Sequence, residues 1–102
     1  MSEVAVNHNA VSEVTVRVPG PLRGFVGGRG EVAVAGATVR EALTALVGAD
    51  AAFHERLFTA EGDLRRFVNV YLGGNDVRRQ GGLDTHVPAG ATLTLMVAIA
   101  GG

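Results

Sequence analysis

No cysteine occurs in the 102 residues, so a disulfide framework, a thiolate nucleophile and a sulfur ligand for a metal are all excluded. Lysine is missing too, since all nine basic side chains are arginine. Apart from an N-terminal amine, the chain therefore has no primary amine that an activated acyl group could readily acylate. Charge of one sign is not in excess either. With a formal net charge of -1 and no basic segment, the electrostatic footprint of a nucleic-acid or anionic-membrane binder is lacking, and neither partner is expected. The first dozen residues carry Glu3, Asn7, His8 and Asn9 where a signal peptide would have a basic stretch and an apolar run. No apolar run is long enough to span a bilayer, so the cytoplasm is the expected location.

What is present is a chain sized for one domain with a single modest core, too short for a cofactor domain beside a substrate domain. Hydrophobic residues, mainly Val and Ala, make up 47% of it, which suits a folded domain and not a disordered one. Residues 1–12 show no sustained period and read as a flexible leader. The run from Val14 to Val18 then alternates apolar and polar with β-branched residues, the pattern of a strand buried on one face, and Pro19 and Gly20 end it. Pro21 to Gly30 reads as a loop, and Glu31 to Ala35 as a second alternating strand.

After Gly36, Thr38 can cap a helix while Glu41 reaches back in a capping box. Val39, Ala42, Leu43 and Leu46 follow at helical spacing, and Gly48 stops the helix. A shorter helix is expected over Asp50 to Leu57, with Phe53 and Leu57 on one side. Arg66 to Leu72 reads as the third strand. The turn cluster Gly73 to Asp76 leads into a short strand around Val77 and Arg78. A loop follows, and Thr92 to Ala100 reads as the last strand. This order predicts an α+β, β-grasp (ubiquitin-like) domain over residues 13–98, with one main helix across a mixed sheet of four to five strands. In that arrangement the first and last strands adjoin at the sheet centre, and residues 99–102 form an extended tail.

Few residues are placed for chemistry. Ser2 and Ser12, the only serines, lie in the leader, so a serine hydrolase is not expected. His8, His54 and His86 have no metal-ligand spacing, and no metal is assigned. The run Gly27 to Gly30 is followed by no Lys and precedes a strand, which argues against a phosphate loop. Asp63, Asp76 and Asp84 fall in loops and form no legible acid–base pair. There remains the apolar strand ending in Ala100, Gly101 and Gly102, whose α-carboxylate is the one group placed for reaction. Two glycines lack Cβ atoms and can be threaded through a narrow channel. Extended, four residues reach roughly 13 Å.

Three stretches, Arg66 to Leu72, Asn75 to Thr85 and Val97 to Gly102, make the sequence resemble the prokaryotic ubiquitin-like sulfur carriers. That family includes the small subunit of molybdopterin synthase, the thiamine sulfur carrier and the cysteine-biosynthesis carrier of actinobacteria. The match covers about residues 13 to 102, and the strand and Gly-Gly-Leu loop look most similar to the cysteine-biosynthesis carrier. The resemblance implies adenylation of Gly102 by an E1-like enzyme using ATP, then replacement of a terminal oxygen by sulfur. The carrier would bind no cofactor and catalyse nothing itself. A PLP-dependent cysteine synthase would accept the sulfur, and a metalloprotease would release the new cysteine. Delivery to molybdopterin, thiamine or a sulfur-containing natural product is the alternative. A ubiquitin-like modifier forming isopeptide bonds is the rival class, and a passive interaction module with a dispensable tail a third.

Period-two alternation adds an expectation about docking. If Val68, Val70 and Leu72 face the helix, then Phe67, Asn69 and Tyr71 share the opposite face with Thr94, Met96 and Ala98. That face would expose an apolar patch for a partner, with Arg65 or Arg66 beside it.

Overall fold

The computed structural model of the chain describes residues 13–98, so the leader at 1–12 and the tail at 99–102 lie outside the described residues. Five strands form one mixed sheet: β1 (Glu13–Arg17), β2 (Glu31–Ala35), β3 (Val68–Leu72), β4 (Asn75–Asp76) and β5 (Thr92–Val97). Their order is β2-β1-β5-β3-β4. β1 runs parallel to β5, with Thr15 opposite Thr92, and the other pairings are antiparallel. The first and last strands thus adjoin in the interior of the sheet, as the β-grasp expectation requires.

Alternation puts Val14 and Val16 of β1, Val68 and Val70 of β3, and Leu93 and Leu95 of β5 into the core. Helix α1 (Val39–Val47) covers them with Val39, Ala42, Leu43, Leu46 and Val47. Its entry is a modified capping box. The Glu41 amide donates to Thr38 Oγ1 at 3.1 Å, while Glu41 Oε1 accepts from the Ala37 amide at 2.8 Å, one residue beyond the expected target. Thr38 is at that point bridged to His86, with the Val39 amide donating to Thr85 and the Val87 amide to Ala37. Gly36 is required just before it: a Cβ there would lie 2.6 Å from the Ala42 backbone nitrogen. Helix α2 (Ala51–Leu57) is capped by Asp50 and buries Phe53 and Leu57, as their spacing predicts.

Three local readings are corrected. The expected loop from Pro21 to Gly30 contains a 3-10 helix, Gly20–Val26. Pro19 and Pro21 pre-set its start, and Leu22 and Phe25, three apart, turn one edge toward the core. Phe25 stacks on Phe53 with ring centroids 4.6 Å apart. The expected short strand around Val77 and Arg78 lies two residues earlier, at Asn75–Asp76. Gly73 and Gly74, at φ of 59° and 86°, make a two-residue hairpin turn. Asp76 Oδ1 then accepts from the Arg78 amide, curling Val77–Arg79 into a 3-10 turn. The third strand begins at Val68, not Arg66, because the Val68 amide donates back to the Arg65 carbonyl in a turn.

Candidate functional site

β5 is held on both flanks, by β1 and by β3. Leu93 and Leu95 fasten it to the core, Val97 pairs with Val68, and the Ala98 amide donates to the Phe67 carbonyl at 2.9 Å. Up to Ala98, therefore, the strand is tied residue by residue. Ala100, Gly101 and Gly102, the expected tail and reactive end, lie outside the described residues.

A surface cleft of about 680 Å³ opens at the end of β5, beside Val97 and Ala98. Its apolar wall comes from four separate segments: Pro21, Leu22 and Phe25 of the 3-10 helix, Ala52 of α2, Phe67 before β3, and Val97 with Ala98. Charged groups mark the rim. Arg56 carries its guanidinium carbon 5.8 Å from the centre of the Phe25 ring, and Arg65 Nε donates to the carbonyl of Glu55. The ion pairs seen among the described residues, Arg17 with Glu31 and Arg40 with Asp84, lie elsewhere. With Arg56 and Arg65 against one Glu55, the rim has an excess of positive charge.

The expected docking face is divided. Arg65, Phe67 and Ala98 line the cleft together with Val97. Tyr71 and Met96 do not. Tyr71, opposite Thr94, borders a shallow hollow with Gly74, Asn75 and Asp76, and Met96, opposite Asn69, borders another with Arg17 and Pro19. Among the described residues, Phe67 and Met96 are the exposed large hydrophobics, at 44% and 50%. Arg66 is exposed. The turn that starts β3 late is the physical reason for the division, because it takes Phe67 out of the regular strand. Sequence reasoning missed Pro21, Leu22, Phe25, Ala52, Glu55 and Arg56. The three-residue spacing of Leu22 and Phe25 behind a proline was the available signal.

Arg78, read only as part of a short strand, braces this region. Its Nη1 donates to Asn69 Oδ1 at 3.0 Å and its Nη2 to the Arg65 carbonyl at 2.8 Å. His54 lies against Phe58, ring centroids 4.8 Å apart, and His86 is exposed. Among the described residues no group of three or more His, Cys, Asp or Glu could hold a metal ion, and no helix is long and apolar enough to cross a membrane.

Comparison with known proteins finds similarity over most of the chain. The model of the ThiS family matches residues 16–102. The sulfur carrier protein CysO of Mycobacterium bovis is 38% identical over 91 residues, covering 87% of this chain and 98% of the relative. Among solved structures, a chain of the Amycolatopsis orientalis BexX/CysO complex superposes with a TM-score of 0.79 at 44% identity, over 87% of this chain and 99% of that one. The small archaeal modifier protein 1 of H. volcanii superposes at 0.73 with 30% identity, over 86% and 99%.

Proposed function

Because the chain belongs to the ThiS family, we propose that it is a sulfur carrier whose Gly102 is adenylated and then converted to a thiocarboxylate, feeding cysteine biosynthesis. The observation that carries this reading is the family match running through Gly102 itself, supported by the similarity to CysO proteins. A carboxylate is a poor electrophile, so its oxygen must first attack the α-phosphorus of ATP and displace pyrophosphate. Hydrosulfide then adds to the acyl carbon, AMP leaves with the bonding electron pair, and the sulfur–hydrogen proton is lost. The product is a thiocarboxylate on the same residue.

The carrier's own part is mechanical. Its central strand presents the tail from a fixed root, and the diglycine lets a partner pass the end through a narrow channel. It acts as a co-substrate in the cytoplasm, without a bound cofactor, while an E1-like enzyme uses the ATP. The occurrence of a relative in the BexX/CysO complex supports a role exercised through protein partners. Here those partners are the adenylating enzyme, a PLP-dependent synthase that accepts the sulfur, and a metalloprotease that frees the new cysteine.

Incubation with ATP, sulfide and the adenylating enzyme of the same cell, followed by intact-mass analysis, tests this. A shift matching oxygen-to-sulfur exchange at Gly102 is expected, and an unchanged mass with an active enzyme would overturn the reading. The similarity to the small archaeal modifier protein 1 favours one second reading, attachment of Gly102 to lysines of other proteins. Arg79 is the last basic residue, so trypsin would then leave Gln80 to Gly102 on each target. Lysine-linked chains of this protein on itself are ruled out by its lack of lysine.

A further inference from the structure

Assuming that Gly102 is indeed activated, we infer that the cleft at the tail root is the docking socket for the adenylating enzyme. It accepts a protruding aliphatic or aromatic side chain of that enzyme with a carboxylate beside it. Reach decides the location. Gly102 lies four residues beyond Ala98, and four extended residues span roughly 13 Å. An active site that takes Gly102 therefore lies within that distance of Ala98, and Ala98 is part of the cleft wall. The enzyme surface around the channel mouth must come down over the cleft, which is continuous with the strand it grips.

The cleft's chemistry selects the occupant. Leu22, Phe25, Phe67 and Val97 offer apolar surface, and Phe25 is held in place by the stack on Phe53 below and Arg56 above. A preorganised apolar pocket at the centre of an interface is where binding energy concentrates. The positive rim of Arg56 and Arg65 complements an acidic neighbour and steers its approach. By contrast, the outer sheet face interrupts Tyr71 and Met96 with Asn69 and Thr94, and charged side chains stand in its hollows, Arg17, Arg23 and Glu31 in one and Asp76 and Arg79 in the other.

Ala52 is an exposed helical position on the cleft wall, so Ala52→Arg obstructs the socket without disturbing the core, and Arg56→Glu reverses the rim charge. Ala33→Arg, exposed on β2, is the control. Calorimetric titration of full-length protein into the adenylating enzyme without ATP gives Kd, and ATP–pyrophosphate exchange gives KM and kcat. Ala52→Arg and Arg56→Glu are expected to weaken Kd and raise KM about tenfold or more with kcat preserved, the second also flattening the salt dependence. Ala33→Arg should match the wild type. Should both cleft variants bind like a wild type that is itself adenylated, the socket is wrong while the carrier reading stands. A wild type that is never adenylated removes both. A wild-type dimer in sedimentation that Ala52→Arg dissolves would assign the cleft to a second copy instead. Melting curves check folding, and if Ala52→Arg were unfolded, the surface change Arg56→Glu decides alone.

Discussion

The Ala98 amide donates to the Phe67 carbonyl at 2.9 Å, one step beyond the last registered pair of β3 and β5, Val68 with Val97. This bond carries the β3–β5 pairing to the last described residue, and it joins β5 to the turn that lines the cleft. Replacing Ala98 by proline removes the donor. The expected loss is about 1 kcal/mol of stability in urea unfolding, with the sheet intact by circular dichroism. Hydrogen exchange should then show faster opening at Val97.

Gly36 and Gly24 should respond oppositely to alanine. At Gly36 the new Cβ meets the Ala42 nitrogen at 2.6 Å, so the end of β2 or the start of α1 must move. A loss of about 1–3 kcal/mol is expected. Nothing lies within 4 Å of the corresponding atom at Gly24, and the same change there should stay within about 0.5 kcal/mol. Thermal unfolding of the two variants checks the contrast.

Arg78→Ala removes the donors to Asn69 and to the Arg65 carbonyl. Both bonds are exposed, so the expected cost is about 1 kcal/mol. The larger effect should appear in NMR spectra, as shifts at Arg65 to Phe67 that Arg79→Ala does not produce.

Thr38→Ala unmakes the cap of α1, with an expected loss of about 1 kcal/mol in chemical denaturation. Thr38→Ser keeps the accepting oxygen and should retain most of that stability.

The readable parts of the fold were those set by local period. Val14 to Val18 and Glu31 to Ala35 alternate because one face of each strand meets the core, and Val39, Ala42, Leu43 and Leu46 recur at helical spacing for the same reason. Period two reports which face a residue occupies but not where pairing stops. It therefore ran through Arg66 and Phe67, which a turn removes from the strand, and put Phe67 in one row with Tyr71. Asp76 misled in a similar way, since its carboxylate caps a 3-10 turn just where a short strand around Val77 and Arg78 was expected. A proline- and glycine-rich stretch concealed the helix that supplies Leu22 and Phe25.

By itself the sequence determined the main strands and the two α-helices, their order, the lack of any lysine amine or thiol in the side chains, and the diglycine at 101–102. These depend on side-chain chemistry and on neighbours within a few positions. Only the tertiary structure decided that β1 lies parallel beside β5 with Thr15 opposite Thr92, and that Pro21, Ala52, Phe67 and Ala98 enclose one cleft. Those residues are far apart in the chain, and contacts between them exist only once packing of the whole core has chosen the register.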